Sequence, residues 1–145
     1  MSQFRKLDES MMASPQISID DLTEAQALGV TLIINNRPDG EDPNAPQSDA
    51  IESAANALGL QYVAIPIGHS GFSEAQVDAM CEALDQADGN ILAYCRSGTR
   101  STFLWALAEA KSGVSSDTIA AAALSAGYDV APIRPMLDML AARQG

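Results

Sequence analysis

The alternation of short apolar runs with helix-length segments in this sequence predicts an α/β fold with a central, mostly parallel sheet flanked by helices. Three observations carry that expectation. Val30 to Asn35, Gln61 to Ile65 and Ile91 to Tyr94 are apolar runs of strand length, and β-branched residues lead the first. Segments of helix length with polar starts and glycine stops lie between them. Strands that alternate with helices at short spacing pair in parallel.

The elements follow in order. Phe4 to Asp8 and Met11 to Ala13 read as short opening strands. Ser18 is an N-cap for a helix to about Leu28, which Gly29 stops. The strand Val30 to Asn35 runs into turn chemistry at Arg37-Pro38-Asp39-Gly40, and Pro43 and Pro46 keep the loop beyond it non-helical. Asp49 to Leu58 is helical and closes at Gly59, before the strand Gln61 to Ile65. Pro66 to Ser73 is a loop. Ser73 caps a helix to about Ala87, with Gln76 at the capping-box position. A turn at 87–90 leads into Ile91 to Tyr94, which ends directly in Cys95. Helices are expected near Arg100 to Lys111, Asp117 to Ala126 and Arg134 to Ala142. Residues 1–145 make one domain, a usual size for one.

Ligands bind beyond the carboxyl ends of strands in open α/β sheets. Three loops leave such ends: Asn36 to Pro46, Pro66 to Ser73, and Cys95 to Arg100. They are expected to converge on one cleft.

Composition narrows the function. A net charge of −11 argues against nucleic acid or an anionic membrane as partner, since both need a basic footprint. With eight Lys and Arg in all, any anion site must gather cations locally, and Arg96 and Arg100 flank one cysteine-centred turn. The N-terminus has no signal-type apolar stretch, and the chain is expected to be cytoplasmic. Two cysteines, Cys81 and Cys95, are expected to be reduced there. One histidine and no C-x-x-C pattern leave no metal site or other cofactor to assign.

The strongest chemical signal is strand, then Cys95-Arg96-Ser97-Gly98-Thr99-Arg100-Ser101, then helix. A turn between strand and helix points successive N–H groups inward, and the helix adds its positive N-terminal end. Gly98 permits a backbone conformation other residues resist. Arg100 brings a fixed cationic fork. Each favours the thiolate of Cys95 over the thiol, as a covalent nucleophile requires.

The loop resembles the active loop of rhodanese sulfurtransferases. Nearly the whole chain, however, resembles the phosphatase-like domain of the bacterial β-lactamase-hydrolase-like proteins, relatives of dual-specificity phosphatases. The likeness runs through Phe4-Arg5-Lys6-Leu7, Asn35 to Glu41, Ile65-Pro66-Ile67, the cysteine loop with Trp105-Ala106-Leu107, and Ala126-Gly127-Tyr128-Asp129. It implies a protein-tyrosine/dual-specificity-phosphatase-like fold. It also implies Cys95 as nucleophile, Arg100 gripping substrate oxyanions, and Ser101 helping the thiol leave. The loop residues Arg96, Ser97, Gly98 and Thr99 would bind the anion. The family also occurs fused to a persulfide dioxygenase, which implies a functional association with one.

Two departures matter. Such phosphatases place five residues between cysteine and arginine; here there are four. They also carry an aspartate acid shortly after the strand matching Ile65-Pro66-Ile67, where this chain has His69. Removing one residue from a closed cradle cuts its radius by about 0.6 Å. That suits a persulfide, which adds one atom, better than a phosphoryl group with three oxygens. The expected function is therefore sulfur transfer through a Cys95 persulfide, between a small sulfur donor and a thiol acceptor. The alternative is hydrolysis of a phosphorylated substrate through a phosphocysteine. A purely anion-sensing module would not need the cysteine.

The remaining candidates each have two readings. His69 is a proton donor or acceptor at the cleft, or a solvent-facing loop residue. Arg37 and Asp39 line the cleft, or form a salt-bridged turn, and the turn is the simpler reading. Cys81 reads as a packed thiol, Trp105 as core, and Glu41-Asp42 as a solvated loop.

Overall fold

In the computed structural model, which describes residues 3–68 and 71–144, the chain alternates as expected. The strands are β1 (Arg5–Lys6), β2 (Met11–Ser14), β3 (Val30–Asn35), β4 (Gln61–Ala64) and β5 (Asn90–Tyr94). The helices are α1 (Ile19–Ala27), α2 (Ser48–Ala57), α3 (Glu74–Gln86), α4 (Thr99–Lys111), α5 (Ser116–Ser125) and α6 (Arg134–Gln144). These strands form one sheet in the order β1-β2-β5-β3-β4, parallel except for β1.

The expected caps form. Ser18 and Asp21 make a capping box at α1, and Ser73 and Gln76 make one at α3. Strand β1 is shorter than Phe4 to Asp8. The Asp8 carboxylate accepts the Ser10 N–H at 2.8 Å and Leu7 N–H donates to Met11 O at 2.8 Å, so the chain turns back before a longer ladder can form.

Side chains alternate across β5. Ile91 and Ala93 face one core, Leu92 and Tyr94 the other. Helices α1 and α2 cover the Leu92 face with Leu22, Ala25, Ile51 and Ala55. Helices α3 to α6 cover the opposite face. In β3 the register shifts between Val30 and Leu32, so Val30 and Ile33 share a face despite their odd spacing. At that irregularity a Cβ on Gly89 would meet Thr31 Cγ2 at 2.5 Å, which leaves room only for glycine.

Helix α4 is buried over most of its surface. Ser101, Thr102, Leu104, Trp105, Ala106, Leu107, Ala108 and Ala110 are all inaccessible. Trp105 is core, as expected, and its indole N–H reaches Asp8 Oδ2 at 3.4 Å. Cys81 packs at the core edge with its thiol toward Ala108 O, and burial pushes that thiol up. No described helix is long and apolar enough to cross a membrane.

Candidate active site

Strand β5 delivers Cys95 to the carboxyl end of the sheet. Cys95 N–H donates to Ser14 O at 3.3 Å, at the end of β2. Tyr94 O accepts from Asn36 N–H at 2.8 Å, at the end of β3. The first residue of the loop is thus pinned by both neighbouring strands, and Cys95 is fully buried.

The loop then turns through Gly98, the N-cap of α4, at φ +93°. Its carbonyl accepts from both the N–H and the hydroxyl of Thr102, at 3.0 and 2.9 Å. Its N–H donates to Cys95 Sγ at 3.1 Å. Ser97 Oγ accepts from Thr99 N–H at 3.3 Å and donates to Thr99 Oγ1 at 3.0 Å. Arg96 is exposed, and its carbonyl accepts from Gln16 N–H at 3.3 Å. One backbone donor thus lies on the sulfur, and the N-terminus of α4 stands behind it.

Gly98 is required for two reasons. Its φ lies where other residues cost about 1–2 kcal/mol, and a Cβ would sit 2.1 Å from Tyr128 Oη. Gly98→Ala is expected to destabilise the protein by about 2 kcal/mol or more and to slow alkylation of Cys95. Thermal denaturation and the alkylation rate check this; an unchanged melting temperature would contradict it.

Arg100 is where the three loops meet. Its Nη1 donates to Glu41 Oε2 at 2.9 Å and to Ile67 O at 2.8 Å, and its Nη2 donates to Glu41 Oε1 at 2.7 Å. Glu41 also accepts from Arg37 Nε at 2.9 Å, and Arg37 Nη1 donates to Gln16 Oε1 at 2.9 Å. The Glu41 hydrogen bond is the main reason Arg100 is held further up, and Cys95 contributes less.

The same bond, helped by Arg37, pulls the Glu41 carboxyl down to about 2 from 4.5. A depressed carboxylate stabilises the fold fully above its unfolded value. That contribution is lost as pH falls from about 4.5 through about 2. Glu41 is therefore a carboxylate at neutral pH and cannot donate a proton to a leaving group.

The other candidates separate. Arg37 is in the salt-bridged turn and joins the site through Glu41. Asp39 turns to the start of α2 instead, accepting from Ser48 N–H at 2.9 Å and Ser48 Oγ at 2.5 Å. Ser101 is fully buried in the first turn of α4, and its Oγ has no hydrogen-bond partner among the described residues. His69 lies outside the described residues.

The solvated-loop reading of Glu41 is corrected: its side chain is 23% exposed and tied to two arginines. The Arg37–Glu41 spacing of four was its one local signal. Gln16 carries little sequence signal because β2 is so short, although it too follows a strand's carboxyl end. Tyr128 was noted only as part of the resemblance; its Oη donates to Ser97 O at 3.2 Å.

Comparison with known proteins agrees with this architecture. A crystal structure of a candidate phosphatase from Neisseria meningitidis matches with a TM-score of 0.84 at 31% identity, covering 97% of this chain and 99% of that one. Tk-PTP in its active form, 18% identical, shares the fold with a TM-score of 0.72 over 97% of each chain. A beta-lactamase hydrolase-like protein of Xylella fastidiosa is 35% identical over 125 residues, covering 86% of this chain. The chain spans only 29% of that relative's length. Residues 3–113 match the family described as the beta-lactamase hydrolase-like protein, phosphatase-like domain. By sequence and by fold, this chain belongs to that phosphatase-like family.

Proposed function

We propose that this chain is a cysteine-dependent phosphate-monoester hydrolase. One observation carries the reading: the edge of Arg100 that remains available. A guanidinium has five N–H donors. Glu41 and Ile67 take both Nη1 protons and one Nη2 proton. Nε–H and the second Nη2 proton lie on the remaining side edge, which Glu41 and Ile67 leave untaken, and Cys95 is the further group that interacts with this guanidinium. Such an edge binds two oxygens of a single oxyanion. A phosphoryl group offers them in substrate and intermediate alike, whereas on the sulfur route only an oxyanionic donor would and the persulfide itself does not.

The four-residue spacing favours sulfur transfer; the fold relatives and this fork favour the alternative. The Cys95 thiolate attacks phosphorus, the P–O bond to the leaving group breaks, and phosphocysteine forms. The leaving oxygen departs as an alcohol or phenol with a proton from a donor other than Glu41. Water then attacks phosphorus, the S–P bond breaks, and phosphate and the thiolate are released.

A second reading stands on the four-residue spacing and the full burial of Cys95. The thiolate would attack a donor's sulfane sulfur, break its S–S bond and carry the sulfur as a persulfide. A thiol acceptor would then take it, with a persulfide dioxygenase as the fitting companion.

Intact-mass measurement after acid quench separates the two. An aryl phosphate should leave one phosphoryl group on Cys95. A thiosulfate-derived sulfur adduct with no phosphoryl adduct would overturn the phosphatase reading.

A further inference from the structure

We propose that Tyr128 is a positioning residue for the nucleophile, acting through the peptide bond between Ser97 and Gly98. Tyr128 lies beyond the stretch 3–113 that carries the family match. It comes from the connection between α5 and α6, where its N–H donates to Ala123 O at 2.9 Å. Its phenol reaches across to the cysteine loop.

Two hydrogen bonds converge on one peptide unit. Tyr128 Oη donates to Ser97 O at 3.2 Å, and Gly98 N–H donates to Cys95 Sγ at 3.1 Å. That carbonyl and that N–H belong to the same planar group and point in opposite directions. Fixing the carbonyl on the phenol therefore aims the N–H at the sulfur. Hydrogen bonds in such a chain also polarise one another.

Without the phenol the constraint is weak. Gly98 sits at φ +93° and, as glycine, tolerates the rotation that would turn this peptide over. A flipped peptide would present the Ser97 carbonyl to the thiolate and withdraw its donor. A Cβ on Gly98 would lie 2.1 Å from Tyr128 Oη, so the phenol occupies the space that a side chain there would need. Burial, and then the charge of Cys95, push the Tyr128 phenol up, so it stays a donor at neutral pH.

The inference rests on Cys95 as the nucleophile and holds for a phosphoryl or a sulfur cargo alike. The test uses iodoacetamide, whose reaction needs neither cargo, so its failure is distinguishable from failure of the phosphatase reading. Tyr128→Phe keeps the ring and removes the donor. Alkylation of Cys95, followed by peptide mass, should slow about tenfold, the weight of one hydrogen bond. With an aryl phosphate, kcat should fall while KM stays near its wild-type value. Wild-type alkylation and kcat in a variant with a lowered melting temperature would reduce Tyr128 to packing and overturn the proposal. Should the variant not fold, amide exchange in the wild-type protein decides: the Gly98 N–H should exchange slowly, and free exchange would show an unclamped peptide.

Discussion

Cys95→Ser is expected to abolish turnover, by at least about a thousandfold, while the fold survives. A hydroxyl can accept the Gly98 N–H as the sulfur does at 3.1 Å, and it fits the same buried position. It is far less acidic than a thiol and forms neither a phosphocysteine nor a persulfide. Aryl phosphate and thiosulfate assays, with circular dichroism as the control for folding, check this. Retention of more than a few per cent of the rate would remove Cys95 as nucleophile under either reading.

Arg100→Lys is the second large effect. Lysine keeps the charge but loses the planar fork that serves Glu41, Ile67 and an oxyanion at once. The loss in kcat/KM for an aryl phosphate should be about a hundredfold to a thousandfold, as for other lost oxyanion donors. Glu41 would also lose the hydrogen bond that holds it near 2. Loss of activity toward phosphate with sulfur loading intact would confirm the assignment of the fork to oxygens. With an alkyl trisulfide as sulfur donor, which has no oxygens, equal losses in both assays would place Arg100 in support of the thiolate alone.

The sequence made the scaffold legible where the signals are local. Ile91 to Tyr94 alternates between two cores, Ser18 and Ser73 cap the helices they begin, and the cysteine loop declares its own turn through Gly98. It made the meeting of the three loops legible because strand ends in parallel sheets share one side. What it hid is long-range. Glu41 stands 59 residues from the arginine it holds, and its local neighbourhood is that of an ordinary acidic loop. The orientation of Arg100 depends on that partner and on a carbonyl from a third loop. Counting loop residues therefore favoured sulfur transfer, whereas the direction of the fork, which no spacing encodes, favours phosphate. Asp39 shows a second long-range choice: its carboxylate serves the start of α2, nine residues on, and no local signal announces that partner.

The deep burial of α4 ties loss of activity to loss of the fold. The cysteine loop is continuous with a helix that is itself the centre of one core, so the catalytic platform has no independent foldon. Its amides should exchange by the same global opening that melts the sheet, and urea should abolish turnover and far-ultraviolet ellipticity at one midpoint. Substitutions deep in α4, such as at Leu104 or Leu107, would then be recovered in an activity screen as inactive enzymes although neither side chain is exposed to a substrate.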